Sequence, residues 1–239
     1  MQQQTVARPQ ATWQIDGKKS VVYFRGTNSL AAAAIVGMFS NIKGDVVYDQ
    51  AAAQNSRVRL IIPVKTLNIK KEMMKNVKNE NEKAHARFEN ASNEKLIEKI
   101  LSEGFFGFYK GKGDKKTINP EGKFIQFIST SVSILESKPQ KMTLNICGNL
   151  KIRGKLKKNQ CFQGALADVP SSSRPTKRFV GEAVVNRQDF GVGTGFMKWT
   201  IHNDVNIKMD ILLYQDPTAT QQQPAQPQTQ PQPSSQQVR

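Results

Sequence analysis

Alternation with a period of two constrains this chain more than any other feature. Across residues 201–213, Ile201, Val205, Ile207, Met209, Ile211 and Leu213 share one face. His202, Asp204, Asn206, Lys208 and Asp210 share the other. Successive side chains of a strand point to opposite faces, so this pattern describes a half-buried strand. Met142, Leu144, Ile146, Leu150 and Ile152 alternate in the same way with Lys141, Thr143, Asn145, Lys151 and Arg153, and Val58, Leu60, Ile62 and Val64 oppose Arg57 and Arg59. Shorter candidates lie at 20–25, 45–49, 123–135 and 178–187. One apolar and one polar face marks antiparallel sheet, because parallel strands are covered on both sides.

The alternation fails in three places. Between 70 and 104 the residues become helix formers. The run 72–87 is rich in them, and Asn93 is placed to cap Glu94 to Leu101, with Gly104 at the helix end. Residues 111–122 read as an exposed loop. From 216 onward the chain is almost wholly Gln, Pro, Ser and Thr, which cannot bury enough apolar area to offset its ordering entropy. The expected organisation is a flexible segment at 1–10, an all-β domain with a helical insert at 11–215, and a disordered Gln/Pro-rich tail at 216–239.

Composition narrows the function classes. No run approaches the ~20 apolar residues of a membrane-spanning helix. The opening residues lack the charged and apolar regions of a secretory signal, which leaves a cytoplasmic protein or a mature exported chain. The net charge is +16, and residues 137–167 carry Lys138, Lys141, Lys151, Arg153, Lys155, Lys157 and Lys158 with no acid. Such a run attracts an anionic lipid surface, a phosphorylated ligand or nucleic acid, or it is simply a solvated face. Phe162 is its only aromatic residue, which argues against nucleic acid, whose bases need stacking partners.

Catalytic chemistry finds little support. His85 and His202 are the only histidines, and no metal-ligand spacing, nucleophile elbow or HExxH motif is present. Gly191-Val192-Gly193-Thr194-Gly195 lacks the lysine and following helix of a phosphate loop and reads as a turn. No catalytic residue, metal or cofactor is expected.

Several stretches, taken in order, resemble the YceI-like family. Trp13-Gln14-Ile15-Asp16, Ser20 and Phe24, then Val36-Gly37-Met38-Phe39 and Gly44-Asp45-Val46-Val47, are similar to its opening strands. Phe127 with Ser129, and Gly148-Asn149-Leu150-Lys151-Ile152-Arg153-Gly154, resemble its central strands and hairpin. Arg187-Gln188-Asp189-Phe190-Gly191 and Asn203-Asp204-Val205-Asn206-Ile207 resemble its closing strands. Lys151 and Lys155-Leu156 depart from the family pattern.

The resemblance implies an eight-stranded, lipocalin-like antiparallel barrel that holds a polyisoprenoid or similar amphiphile, often in the bacterial periplasm or cell envelope. An isoprenoid, quinone or fatty-acyl lipid is the expected ligand, an anionic membrane surface a further partner, and a homodimer stays open. A barrel of this size encloses packed side chains or one slender ligand. Candidate lining residues are Phe24, Phe39, Leu60, Phe127, Ile146, Phe190 and Val205, which otherwise fill the core. Phe105 and Phe106, just after the helix, line the cavity or wedge the helix onto the barrel. Lys151, Arg153, Lys155, Lys157 and Lys158 are the candidate anion-facing residues.

Cys147 and Cys161 lie symmetrically about Gly154, where the family's hairpin turn is expected. A turn centred there sets them opposite each other, facing away from Met142, Leu144 and Ile146. A disulfide is then geometrically near, and a one-residue bulge is expected to abolish it. Two reduced thiols are the alternative, favoured in a reducing compartment.

Overall fold

The computed structural model describes residues 11–28, 33–49, 52–69, 93–102, 106–111, 117–170, 173–193 and 201–215. The segments 1–10 and 216–239, the helix-forming run 72–87, His85 and Phe105 lie outside them. The strands are β1 (Ala11–Ile15), β2 (Val21–Asn28), β3 (Ala33–Phe39), β4 (Lys43–Tyr48), β5 (Arg57–Pro63), β6 (Tyr109–Lys110), β7 (Thr117–Ile118), β8 (Phe124–Lys138), β9 (Lys141–Ile152), β10 (Lys155–Val169), β11 (Thr176–Asn186) and β12 (Ile201–Gln215).

Pairing runs β1, β4, β5, β8, β9, β10, β11, β12, and β12 returns to β1, so eight antiparallel strands close a barrel. β2 and β3 continue β1 and β4 past a kink. One edge of β12 pairs with β1 through Leu213, Tyr214 and Gln215, and with β2 from Asp210 back to Ile201. β3 extends this layer by pairing with β2.

Each kink breaks the backbone ladder, and a side-chain hydroxyl repairs it, buried at the first and half-buried at the second. At the first, Asp16 N donates to Leu212 O at 2.9 Å, while Leu212 N donates to Ser20 Oγ at 3.0 Å. At the second, Ser40 N donates to Thr66 Oγ1 at 3.1 Å, and that hydroxyl lies 2.8 Å from Ser40 O. Backbone polar groups buried without such partners would each cost about 1–3 kcal/mol.

Of the helical insert expected over 70–104, residues 70–92 and 103–104 lie outside the described residues. The described part of it is one helix, α1 (Asn93–Leu101), whose Ile100 and Leu101 are buried. Residues 111–122 are less loop-like than expected. Thr117 and Ile118 pair with Lys110 and Tyr109, and a turn at Pro120–Gly122 follows. Gly122 is buried so closely against Gly107 that a Cβ there would lie 2.0 Å from the Gly107 carbonyl.

The β9–β10 hairpin sets which side chains of β10 face the interior. Arg153 and Gly154 form its two-residue turn, at φ of 54° and 80°, so Ile152 faces Lys155 and Leu150 faces Lys157. The register then shifts by one between Lys157 and Gln160, where Asn159 takes a φ of 57°. Asn tolerates this left-handed backbone better than most residues, which suits it to a bulge. Beyond the bulge, Cys161 faces Cys147 and Phe162 faces Ile146.

Candidate functional site

The inward parity of each strand supplies the barrel's interior. On β9 it is Leu144, Ile146, Leu150 and Ile152, and on β12 Met209, Ile211 and Leu213, all buried. These side chains do not fill the interior. Two apolar cavities lie one above the other along the barrel. The upper, of about 110 Å³, is lined by Phe24, Phe39, Phe106, Phe127, Phe190, Val205 and the helix residue Ile100, among others. The lower, of about 50 Å³, is lined by Tyr48, Val58, Ile146, Leu166, Phe179 and Leu213, among others. Leu60, Phe127, Phe162 and Met209 border both and form a waist between them. The rings of Phe127 and Phe162 meet edge to face at 5.0 Å.

The expected lining residues thus divide. Phe24, Phe39, Phe106, Phe127, Phe190 and Val205 surround the upper cavity, Leu60 stands at the waist, and Ile146 belongs to the lower chamber. Phe106 packs edge to face on both Phe24 and Phe39, with centroids 5.7 and 5.4 Å away. It therefore lines the cavity and closes its roof, while its N–H donates to Ile100 O at 3.0 Å and fixes the roof to α1. Phe24 has room because its ring lies over Gly37, where a Cβ would approach it to 2.3 Å.

Sequence reasoning missed Phe162, Met209 and Arg187. Met209 was legible as an inward residue of the best alternating strand. Phe162 was masked by the bulge before it. Arg187 sits just past β11 on the inward parity, borders the upper cavity and is buried at 3 % exposure. Its guanidinium donates to the carbonyls of Val192 and Gly193 at 2.8 Å and of His202 at 3.0 Å. It thereby ties the turn after Phe190 to the start of β12. Burial lowers its pKa from the ordinary arginine value.

The candidate anion-facing residues do not share one surface. Lys151 pairs with Leu156, and both point outward. Lys155 and Lys157 face Ile152 and Leu150, so they share the interior's parity and stand at the upper rim. Lys157 bridges to Asp189 at 2.7 Å. Arg153 donates to Gly191 O. Lys158 is exposed at the bulge.

Cys147 and Cys161 are joined by a disulfide, with Cα atoms 4.0 Å apart. The expectation about the bulge is corrected here. The turn is centred between Arg153 and Gly154, so an unbroken register would set Cys147 against Gln160. The extra residue brings Cys161 opposite instead.

A family sequence model described as YceI-like domain matches residues 13–213. Among solved structures, Burkholderia cenocepacia BcnA superposes with a TM-score of 0.56 at 18 % identity, covering 83 % of this chain and 98 % of its own. A polyisoprenoid binding domain from Saccharophagus degradans, implicated in plant cell wall breakdown, gives 0.53 at 9 % identity and covers 86 % and 99 %. A mutant CJ YceI protein gives 0.51 at 13 % identity, covering 75 % and 84 %. No curated protein sequence matches the chain.

Proposed function

This chain belongs to the YceI-like family, and from that premise we propose that it is a non-catalytic carrier of a long isoprenoid or similar amphiphile. The observation that carries this reading is the pair of apolar cavities stacked along the barrel, sharing a waist of four hydrophobic side chains. Their walls offer burial and dispersion, worth roughly 0.8 kcal/mol per methylene removed from water. The structure of the Saccharophagus domain, described as polyisoprenoid binding, supports the same ligand class.

Volume decides how such a ligand enters. An apolar cavity of about 150 Å³ takes one benzene ring, so chambers of about 110 and 50 Å³ hold only a short piece of a long chain. The occupant must therefore part the waist. Met209 is suited to this, being unbranched and adaptable, whereas Phe127 and Phe162 must turn together. A quinone or a fatty-acyl chain would use the same path.

The experiment is native mass spectrometry of protein purified from its own host, with extraction and identification of the lipid. A bound species at near-stoichiometric yield, removed by organic extraction, is the expected result. Protein that arrives empty and does not take up added all-trans-geranylgeraniol would overturn the reading. We place this carrier in the periplasm or cell envelope, because a persistent disulfide suits an oxidising compartment. Thiol titration of denatured, unreduced protein from the host should find no free thiol. Two free thiols would move it to a reducing compartment.

A further inference from the structure

We infer that the outer wall of β5, β8, β9 and β10 is a docking face for an anionic lipid bilayer, held by lysines set among exposed apolar side chains. The face lies outside the barrel and is independent of what the cavities hold.

Parity puts it there. Leu60, Ile62, Ile125, Phe127, Leu150 and Ile152 wall the upper cavity, so the residues between them point outward. One row of direct pairs crosses five strands: Lys43 with Ile61, Ile61 with Gln126, Gln126 with Lys151, and Lys151 with Leu156. Phe124 and Ile128 flank Gln126 along β8. Paired side chains on one face lie about 5 Å apart, so the row is continuous. Phe124, Ile128 and Leu156 are 40, 53 and 57 % exposed. Apolar residues scattered singly over a surface need no explanation, but neighbours on one wall do.

The cations among them are largely unmatched. Arg59 is paired with Asp45. Lys43, Lys123, Lys151 and Lys158 have no carboxylate within ion-pair distance among the described residues. The carboxylates bordering the face are Asp45 and Glu121, and Glu121 lies against Gly154, where a Cβ would come within 2.4 Å of its Oε2.

That composition selects the occupant. A second copy would bring the same lysines against themselves, because a two-fold interface is built from one patch on each subunit. Lysine is also depleted at the centre of protein interfaces, the place Lys151 takes here. Nucleic acid would find one stacking ring, Phe124, among aliphatic side chains. A bilayer satisfies both halves of the face. Lipid phosphates meet the ammonium groups, while the leucine, isoleucine and phenylalanine side chains enter the headgroup boundary. Lys151 is half-buried, which suits a stem lying along the wall with its charge at the tip. Phe124 adjoins Ile125, a wall residue of the upper cavity, so docking lays that end of the barrel on the membrane.

The test is co-sedimentation of full-length protein with vesicles of equimolar phosphatidylcholine and phosphatidylglycerol, and of phosphatidylcholine alone. Binding should require the anionic lipid and weaken as salt rises, since exposed charges are screened beyond about 10 Å at 0.1 M. Each lysine at such a surface is worth about fivefold in partition, so Lys123→Gln with Lys151→Gln should weaken binding at least about tenfold. Phe124→Ser with Leu156→Ser should weaken it by a similar factor, at high salt as at low. Lys18→Gln with Lys208→Gln removes the same charge from the β12 side, across the barrel, and should leave binding unchanged. Absence of binding to the anionic vesicles, or equal losses from the two lysine pairs, would overturn the assignment of this face. A solution dimer that Leu156→Ser dissolves would give the face to a second copy and overturn the membrane assignment.

Discussion

Ser20 is fully buried and ends in a hydroxyl, a combination that needs a reason. Its oxygen accepts the Leu212 N–H where β1 gives way to β2, a donor that an unbroken strand would have paired through its own carbonyl. Ser20→Ala should therefore leave that N–H buried and unmatched, lowering stability by about 1–3 kcal/mol. Urea unfolding should show this as a lower midpoint with an unchanged slope. Thr66 repairs the neighbouring kink in the same manner, with its hydroxyl between Ser40 and Pro63. Neither role was legible in the sequence. A lone Ser or Thr among polar residues looks like any other until the strand it serves is known to bend.

At the scale of elements, legibility followed the regularity of the ladder. β9 and β12 were plain because each keeps one parity nearly throughout, and their inward residues line the cavities. β10 was hidden, since its bulge moves Leu156 outward and Phe162 inward and so cancels the alternation that would have announced a strand. Its lysines looked like one charged surface for the same reason. The described lining candidates border the cavities because large apolar residues at inward positions must meet inside a closed barrel. Arg187 did not, because nothing in a lone arginine signals burial. The β9–β10 hairpin also carries the disulfide, which spans a sequence separation of 14. A loop of about that length restrains the unfolded chain by roughly 3 kcal/mol. Cys147→Ser with Cys161→Ser should lower stability by about 2–4 kcal/mol. The hairpin register should persist, since the strands remain paired on both sides, and amide exchange along β9 and β10 would check it.

For the whole molecule, the waist and the closing seam matter most. Phe162→Leu should cost stability modestly while widening the passage between the two chambers. In a prenol series of increasing length, the longest chain bound with undiminished affinity should grow; a stability loss with no change in chain-length preference would leave Phe162 a packing residue only. The seam joins Trp13, Gln14 and Ile15 to Gln215, Tyr214 and Leu213. A chain ending at residue 217 should keep its melting temperature within about 1–2 °C, whereas one ending at 211 should lose the closure and melt far lower. Differential scanning calorimetry of both chains decides this. The seam also sets the order of events as the protein forms. The hairpins β8–β9, β9–β10 and β10–β11 join near neighbours in sequence and can zip early, but the seam must bring together residues some two hundred positions apart. Loop-closure entropy makes that the slowest encounter, so the nascent barrel passes through an open sheet with two unpaired edges, the state in which a second chain can add to it. Refolding yield should accordingly fall as protein concentration rises, even though the closed barrel leaves no free edge at the seam.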